Sequence, residues 1–154
     1  KGRGSGVHIG AIVGGPRAAN DFGPGNHGTT FGGNPLSMRA GIETLRIMEE
    51  EGLLSNAATV GAHLKSALQR ELAGLAGVVE IRGEGLMLGI ELDRPCGEIL
   101  TRAMQAGLLL SVTADTVVRL VPPLILTVAE ADEIVSILVP LIQAFLSGAE
   151  SLAA

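Results

Sequence analysis

One ten-residue stretch, His27-Gly28-Thr29-Thr30-Phe31-Gly32-Gly33-Asn34-Pro35-Leu36, sets where regular structure must begin. Asn34 is a good N-cap, and Pro35 suits the first helical position because its φ is preset and its missing N–H would be unpaired there anyway. The glycines just before that start let the backbone turn tightly or approach a ligand closely. With the hydroxyls of Thr29 and Thr30 and the amides of a helix start, the loop can hold an anion such as a phosphate. It can equally be a tight loop that only caps the helix. The residues alone fit both, and Asn34 itself reads as a cap rather than a ligand.

Residues 1–35 are glycine-rich, with Val7 to Val13 reading as a buried strand or hairpin arm, Gly14-Gly15-Pro16 as a turn and Asp21 to Gly25 as a loop. Leu36 to Glu51 predicts a helix with Leu36, Ala40, Leu45 and Met48 near one face, ended by Gly52. Ser55 is the expected N-cap of a second helix reaching Leu72, in which Val60, Leu64, Leu68 and Leu72 recur every fourth residue. Val78 to Ile81 and Leu86 to Leu92 predict two strands around the turn Arg82-Gly83-Glu84-Gly85. Gly97 to Ala106 predicts a helix stopped by Gly107. Leu108 to Val112 and Thr116 to Val121 predict further strands, the last stopped by Pro122-Pro123. Thr127 and Glu130 have capping-box spacing for a final helix, which Pro140 should kink or divide. The tail from Ser147 is expected to fray. Helices and strands in this order indicate an α+β unit.

Composition removes several function classes. Net charge is −5 and the pI is near 5.1, the wrong sign for a nucleic-acid partner. Trp and Tyr are absent, so no platform for stacking bases exists. The apolar run from Ile134 to Leu146 is too short for a membrane span and contains Pro140 and Gln143. A single cysteine, Cys96, forbids an internal disulfide and suits a reducing compartment, so the cytoplasm is expected. Cys96 itself reads as a small buried hydrophobe. The run Glu49-Glu50-Glu51 reads as a solvated surface and not a metal site, and His63 as a surface residue. An apolar content of 47% and a mean hydropathy of +0.43 imply that some apolar surface faces a further protein surface.

Few residues remain that can carry chemistry. Lys1 on its own is simply a terminal residue. Arg82 beside Gly83 reads as structural. Arg119 lies between Val118 and Leu120, and a charge buried in such a strand needs a partner. It can pair with Asp115, Asp93 or a remote acid, or it can present a planar fork to a carboxylate. Its residue context leaves both open.

Three segments, in order, carry a family resemblance. Lys1-Gly2-Arg3-Gly4-Ser5-Gly6-Val7-His8-Ile9-Gly10-Ala11, the loop Gly28 to Leu36, and Val118-Arg119-Leu120-Val121-Pro122-Pro123-Leu124 resemble segments of the class III pyridoxal-phosphate-dependent aminotransferases. The resemblance implies a fold-type I enzyme, with residues 1–52 as the end of its large α/β cofactor domain plus connecting helix and residues 53–154 as its small C-terminal α+β domain. It implies that the chain is a truncated C-terminal part of a longer enzyme. Lys1 then corresponds to the lysine that condenses with the aldehyde of pyridoxal 5′-phosphate and later moves a proton from the substrate Cα. Thr30, supported by Thr29, would reach the cofactor phosphate of a neighbouring subunit, so a homodimer with the site at its interface is implied. Arg119 would clamp the substrate carboxylate. Arg3, Ser5 and His8 stand where the family mostly has leucine, glycine and proline. The text from Gly28 to Phe145 resembles bacterial members that move an amino group from N-acetylornithine to 2-oxoglutarate in arginine biosynthesis. Other donors in the family are ornithine, succinylornithine and 4-aminobutyrate, and a non-catalytic truncated domain is the reading from another class.

Overall fold

The computed structural model describes residues 4–18, 20–25 and 27–148. The chain divides into two compact units, residues 1–52 and 53–154.

The first unit is loop followed by one helix, α1 (Pro35–Glu50). Asn34 caps it as predicted: its Oδ1 accepts from the Ser37 amide at 3.0 Å, and its Nδ2 donates to Phe31 O and Ser37 Oγ. The helix is then stitched by its own charges. Arg46 pairs with Glu43 and Glu50, and Arg39 lies 3.7 Å from Glu43. Its apolar stripe is not covered: Leu36, Ile42 and Leu45 are exposed, and only Ser37 and Gly41 of the helix are buried. The predicted strand at Val7 to Val13 is also overturned. No described residue there is in a strand, and Ile12 and Val13 are exposed. A strand needs a neighbour to take its N–H and C=O groups, and no described strand of this unit supplies one.

The second unit holds α2 (Leu53–Glu71), β1 (Val78–Glu84), β2 (Met87–Leu92), α3 (Gly97–Gln105), β3 (Ser111–Thr113), β4 (Val117–Leu120) and α4 (Val128–Ser147). The four strands form one antiparallel sheet in the order β1-β2-β4-β3. Its inner face sends Leu88, Ile90, Val118 and Leu120 into a core shared with Val60, Leu64 and Leu68 of α2, Ile99 of α3, and Ile134, Leu138 and Ile142 of α4. Cys96 is buried in this core, and burial pushes its thiol pKa up, as expected of a small hydrophobe.

Element boundaries moved for local reasons. α2 starts at Leu53, directly after Gly52 at φ +63°, so Ser55 lies inside the helix and is not its cap. The β1–β2 turn is Gly85-Leu86, with Gly85 at φ +53°, which leaves Arg82 inside β1 and not at the turn. Thr127 and Glu130 form the full capping box. Pro140 does not divide α4, which runs unbroken to Gly148 in its left-handed cap, with buried residues on both sides of the proline. The tail beyond 148 lies outside the described residues.

Candidate functional site

Two places hold predicted residues, one in each unit: Thr29 in the first and Arg119 in the second. The first is a cavity of about 550 Å³ lined by His8, Ile9, Gly10, Thr29, Phe31, Gly32, Gly33, Asn34, Ser37 and Met38. Thr29 presents itself to this cavity. Thr30 is exposed and is not among the lining residues. A Cβ on Gly32 would meet Thr29 Cγ2 and make that side chain shift, and Gly33 sits at φ +73°, a conformation that favours glycine. The Ser37 amide at the helix start is already taken by Asn34, which leaves the Thr29 and Ser37 hydroxyls, the His8 ring and glycine backbone to meet an anion there. No acid is among the lining residues. Lys1 lies outside the described residues.

Ser5, close to that lysine in sequence, adopts φ +47°, a conformation that favours glycine. Its hydroxyl lies 3.3 Å from Thr44 Oγ1. Thr44 donates its own proton to Ala40 O at 2.8 Å, so Ser5 must be the donor of the pair.

The second place is the outer face of the sheet. Strand register sets Arg82 opposite Gly89, Gly89 opposite Arg119 and Arg119 opposite Ser111, one row across all four strands. Arg119 is exposed while Val118 and Leu120 are buried, because strand period two sends alternate side chains to opposite faces. The expected burial of its charge is therefore corrected, and of the two partners left open the acid is not found among the described residues. Asp93 is occupied by Arg94 at 2.6 Å, and no described acid pairs with Arg119. Its Nε donates to Ser111 Oγ at 3.1 Å. Arg82, by contrast, is held by Glu80 at 2.8 Å and by Glu91. Between the two arginines lies a depression of about 320 Å³, floored by Gly89 and walled by Met87 and Val117, with the carboxylate residue Glu84 also in its lining.

The model of the Aminotransferase class-III family matches residues 1–142. The chain belongs to the class III aminotransferases. Among class III relatives, acetylornithine aminotransferase 1 of Bordetella parapertussis is 61% identical over 147 residues, covering 96% of this chain and 37% of that protein. The ornithine δ-aminotransferase of Plasmodium falciparum superposes with a TM-score of 0.77 at 34% identity, over 82% of this chain and 33% of that one. The acetylornithine aminotransferase of Elizabethkingia anophelis does so with 0.72 at 29% identity, over 79% and 33%. The chain thus spans about a third of the length of these class III proteins.

His63 and the acidic run need no site. His63 Nε2 lies 2.6 Å from Asp132 Oδ1 on the surface, and no cluster of metal-ligating side chains occurs among the described residues. No described helix is long and apolar enough to cross a membrane. Ser111 escaped the sequence reading. Nothing local marks it, and only the pairing register places it against Arg119.

Proposed function

We propose that this chain is the part of a pyridoxal-phosphate-dependent aminotransferase that carries the cofactor lysine, a phosphate contact and the substrate-carboxylate arginine. The reaction we assign is amino transfer from N-acetylornithine to 2-oxoglutarate. The observation that carries it is Arg119: an exposed guanidinium whose described partner is a neutral hydroxyl, beside an open depression. A structural arginine in this sheet looks different, as Arg82 between two glutamates demonstrates. The names of the relatives support acetylornithine as donor.

The residues present suit the cofactor's phosphate. Hydroxyls and glycine backbone line the first cavity without any carboxylate to repel an anion. Thr29, which lines that cavity, and the exposed Thr30 beside it would contact the phosphate of the partner's cofactor, and Lys1 would hold the aldehyde carbon of its own subunit's cofactor. When bound, the pyridine ring supplies an electron sink for the substrate Cα. Lys1 would move the proton at that carbon. Arg119 would fix the substrate carboxylate by two-point contact and so set which Cα bond faces the lysine. We assign the active form to a cytoplasmic homodimer, with Thr30 serving the partner's cofactor.

The test is a chimera in which this chain replaces the matched 147-residue stretch of the Bordetella parapertussis relative. It should form glutamate from N-acetylornithine and 2-oxoglutarate, and Lys1→Ala should abolish this. Arg119→Lys should raise KM for both substrates about ten- to hundredfold, the worth of one charged two-point contact, with cofactor retention unchanged. A folded, cofactor-loaded chimera that forms no glutamate would reject the enzymatic reading and leave a non-catalytic domain.

A further inference from the structure

The outer row of the sheet holds two guanidinia in different states. Arg82 is neutralised by Glu80 and Glu91. Arg119 is anchored at its Nε by the Ser111 hydroxyl, 3.1 Å away on the edge strand β3. A guanidinium has five N–H groups, and fixing the Nε edge leaves the Nη end to meet a ligand. A hydroxyl is a neutral acceptor, so it orients the fork without cancelling its charge. A carboxylate in the same place would do to Arg119 what Glu80 and Glu91 do to Arg82. Ser111 is not among the residues that line the depression, whereas Arg119 is. It can reach a bound molecule only through the arginine.

We propose that Ser111 is the positioning residue of the carboxylate clamp: it locks the Arg119 side chain with its Nη end turned to the depression over Gly89, and a bound carboxylate takes that end. Gly89 completes the arrangement. It lies directly between the two arginines, and a Cβ there would come within 3.1 Å of Val117 Cγ1 while filling the floor. Part of this rests on the carboxylate role proposed above for Arg119. The orientation by Ser111 does not.

Both parts can be read on the 154-residue chain itself by following the Arg119 Nε–H in nitrogen-15 spectra. In the free chain, Ser111→Ala should speed exchange of that proton with water at least fivefold, and Ser111→Thr should restore slow exchange. Titration with 2-oxoglutarate should shift the Arg119 side-chain signals. Ser111→Ala should raise the apparent Kd about three- to tenfold, Ser111→Thr should return it to the parent value, and Ser111→Asp should abolish binding. Backbone spectra identical outside β3 and β4 would show that each variant is folded. Unchanged exchange in Ser111→Ala would overturn the positioning role and leave the clamp reading intact. No response of Arg119 to 2-oxoglutarate in the parent chain would overturn the clamp and with it the assigned ligand. Equal weakening by alanine and threonine would also overturn the proposal, since the hydroxyl would then not be the cause.

Discussion

At the scale of single residues, backbone geometry and hydrogen bonds oppose each other most plainly at Ser5. A non-glycine residue at φ +47° costs on the order of 1 kcal/mol, and the exposed hydrogen bond to Thr44 returns about the same amount. Ser5→Gly should therefore change the urea midpoint little, because strain and hydrogen bond vanish together. Ser5→Ala keeps the strain and loses the bond, and should lower stability by about 0.5–1.5 kcal/mol. Equal effects of the two variants would show that the hydrogen bond contributes nothing. The same scale explains what could be read in advance about Arg119. Its residue context raised the carboxylate fork as one option, but its apolar neighbours suggested burial, which strand alternation reverses. Ser111 was out of reach, because eight residues and a strand pairing separate it from the side chain it holds.

Elements were most legible where the signal is local. The Asn34–Pro35 start, the Thr127–Glu130 box and the Gly107 stop all act within a few residues, and the structure has all three. The start of α2 was missed because Gly52 and Leu53, not a polar cap, begin it. Helix and hairpin meet so closely at Gly61 that a Cβ would overlap the Gly85 carbonyl. Alanine is favoured over glycine in a helix by about 1 kcal/mol, but a clash with backbone cannot be relieved by a rotamer change. Gly61→Ala should thus destabilise the second unit by about 1–3 kcal/mol in thermal unfolding, and a stabilised variant would show that the two elements do not touch there. The cap of α4 makes a pH prediction. The Thr127 amide and hydroxyl both donate to Glu130 and hold its pKa below the ordinary value. A depressed carboxylate contributes fully above its unfolded pKa, near 4.3, and loses its contribution as pH falls through the folded value. The stability gap between parent and Glu130→Gln should be constant from pH 7 to 5 and close below about pH 4. A gap unchanged down to pH 3 would mean that the charge is irrelevant to the cap.

On the scale of the whole molecule, the two units differ in what holds them. The second has a continuous core drawn from every helix and the sheet, so hydrophobic periodicity foretold most of its elements. The first has a capped, charge-stitched helix whose apolar side chains are exposed, and long-range partners of that kind leave no mark in local patterning. That asymmetry bears on catalysis. An aminotransferase needs an acid to keep the proton on the cofactor's ring nitrogen, and the cavity beside Thr29 has none among its lining residues. The chain also spans only 37% of the length of its Bordetella parapertussis relative. The 154-residue chain with added pyridoxal phosphate should therefore form no glutamate from N-acetylornithine and 2-oxoglutarate above the background of the free cofactor, even though it carries Lys1, Thr30 and Arg119. An amine and a carboxylate clamp lower the barrier only when ring, lysine and substrate are held in register, and that orientation is worth several kcal/mol in general. Glutamate formation above background, abolished by Lys1→Ala, would show that this chain suffices by itself and overturn the prediction.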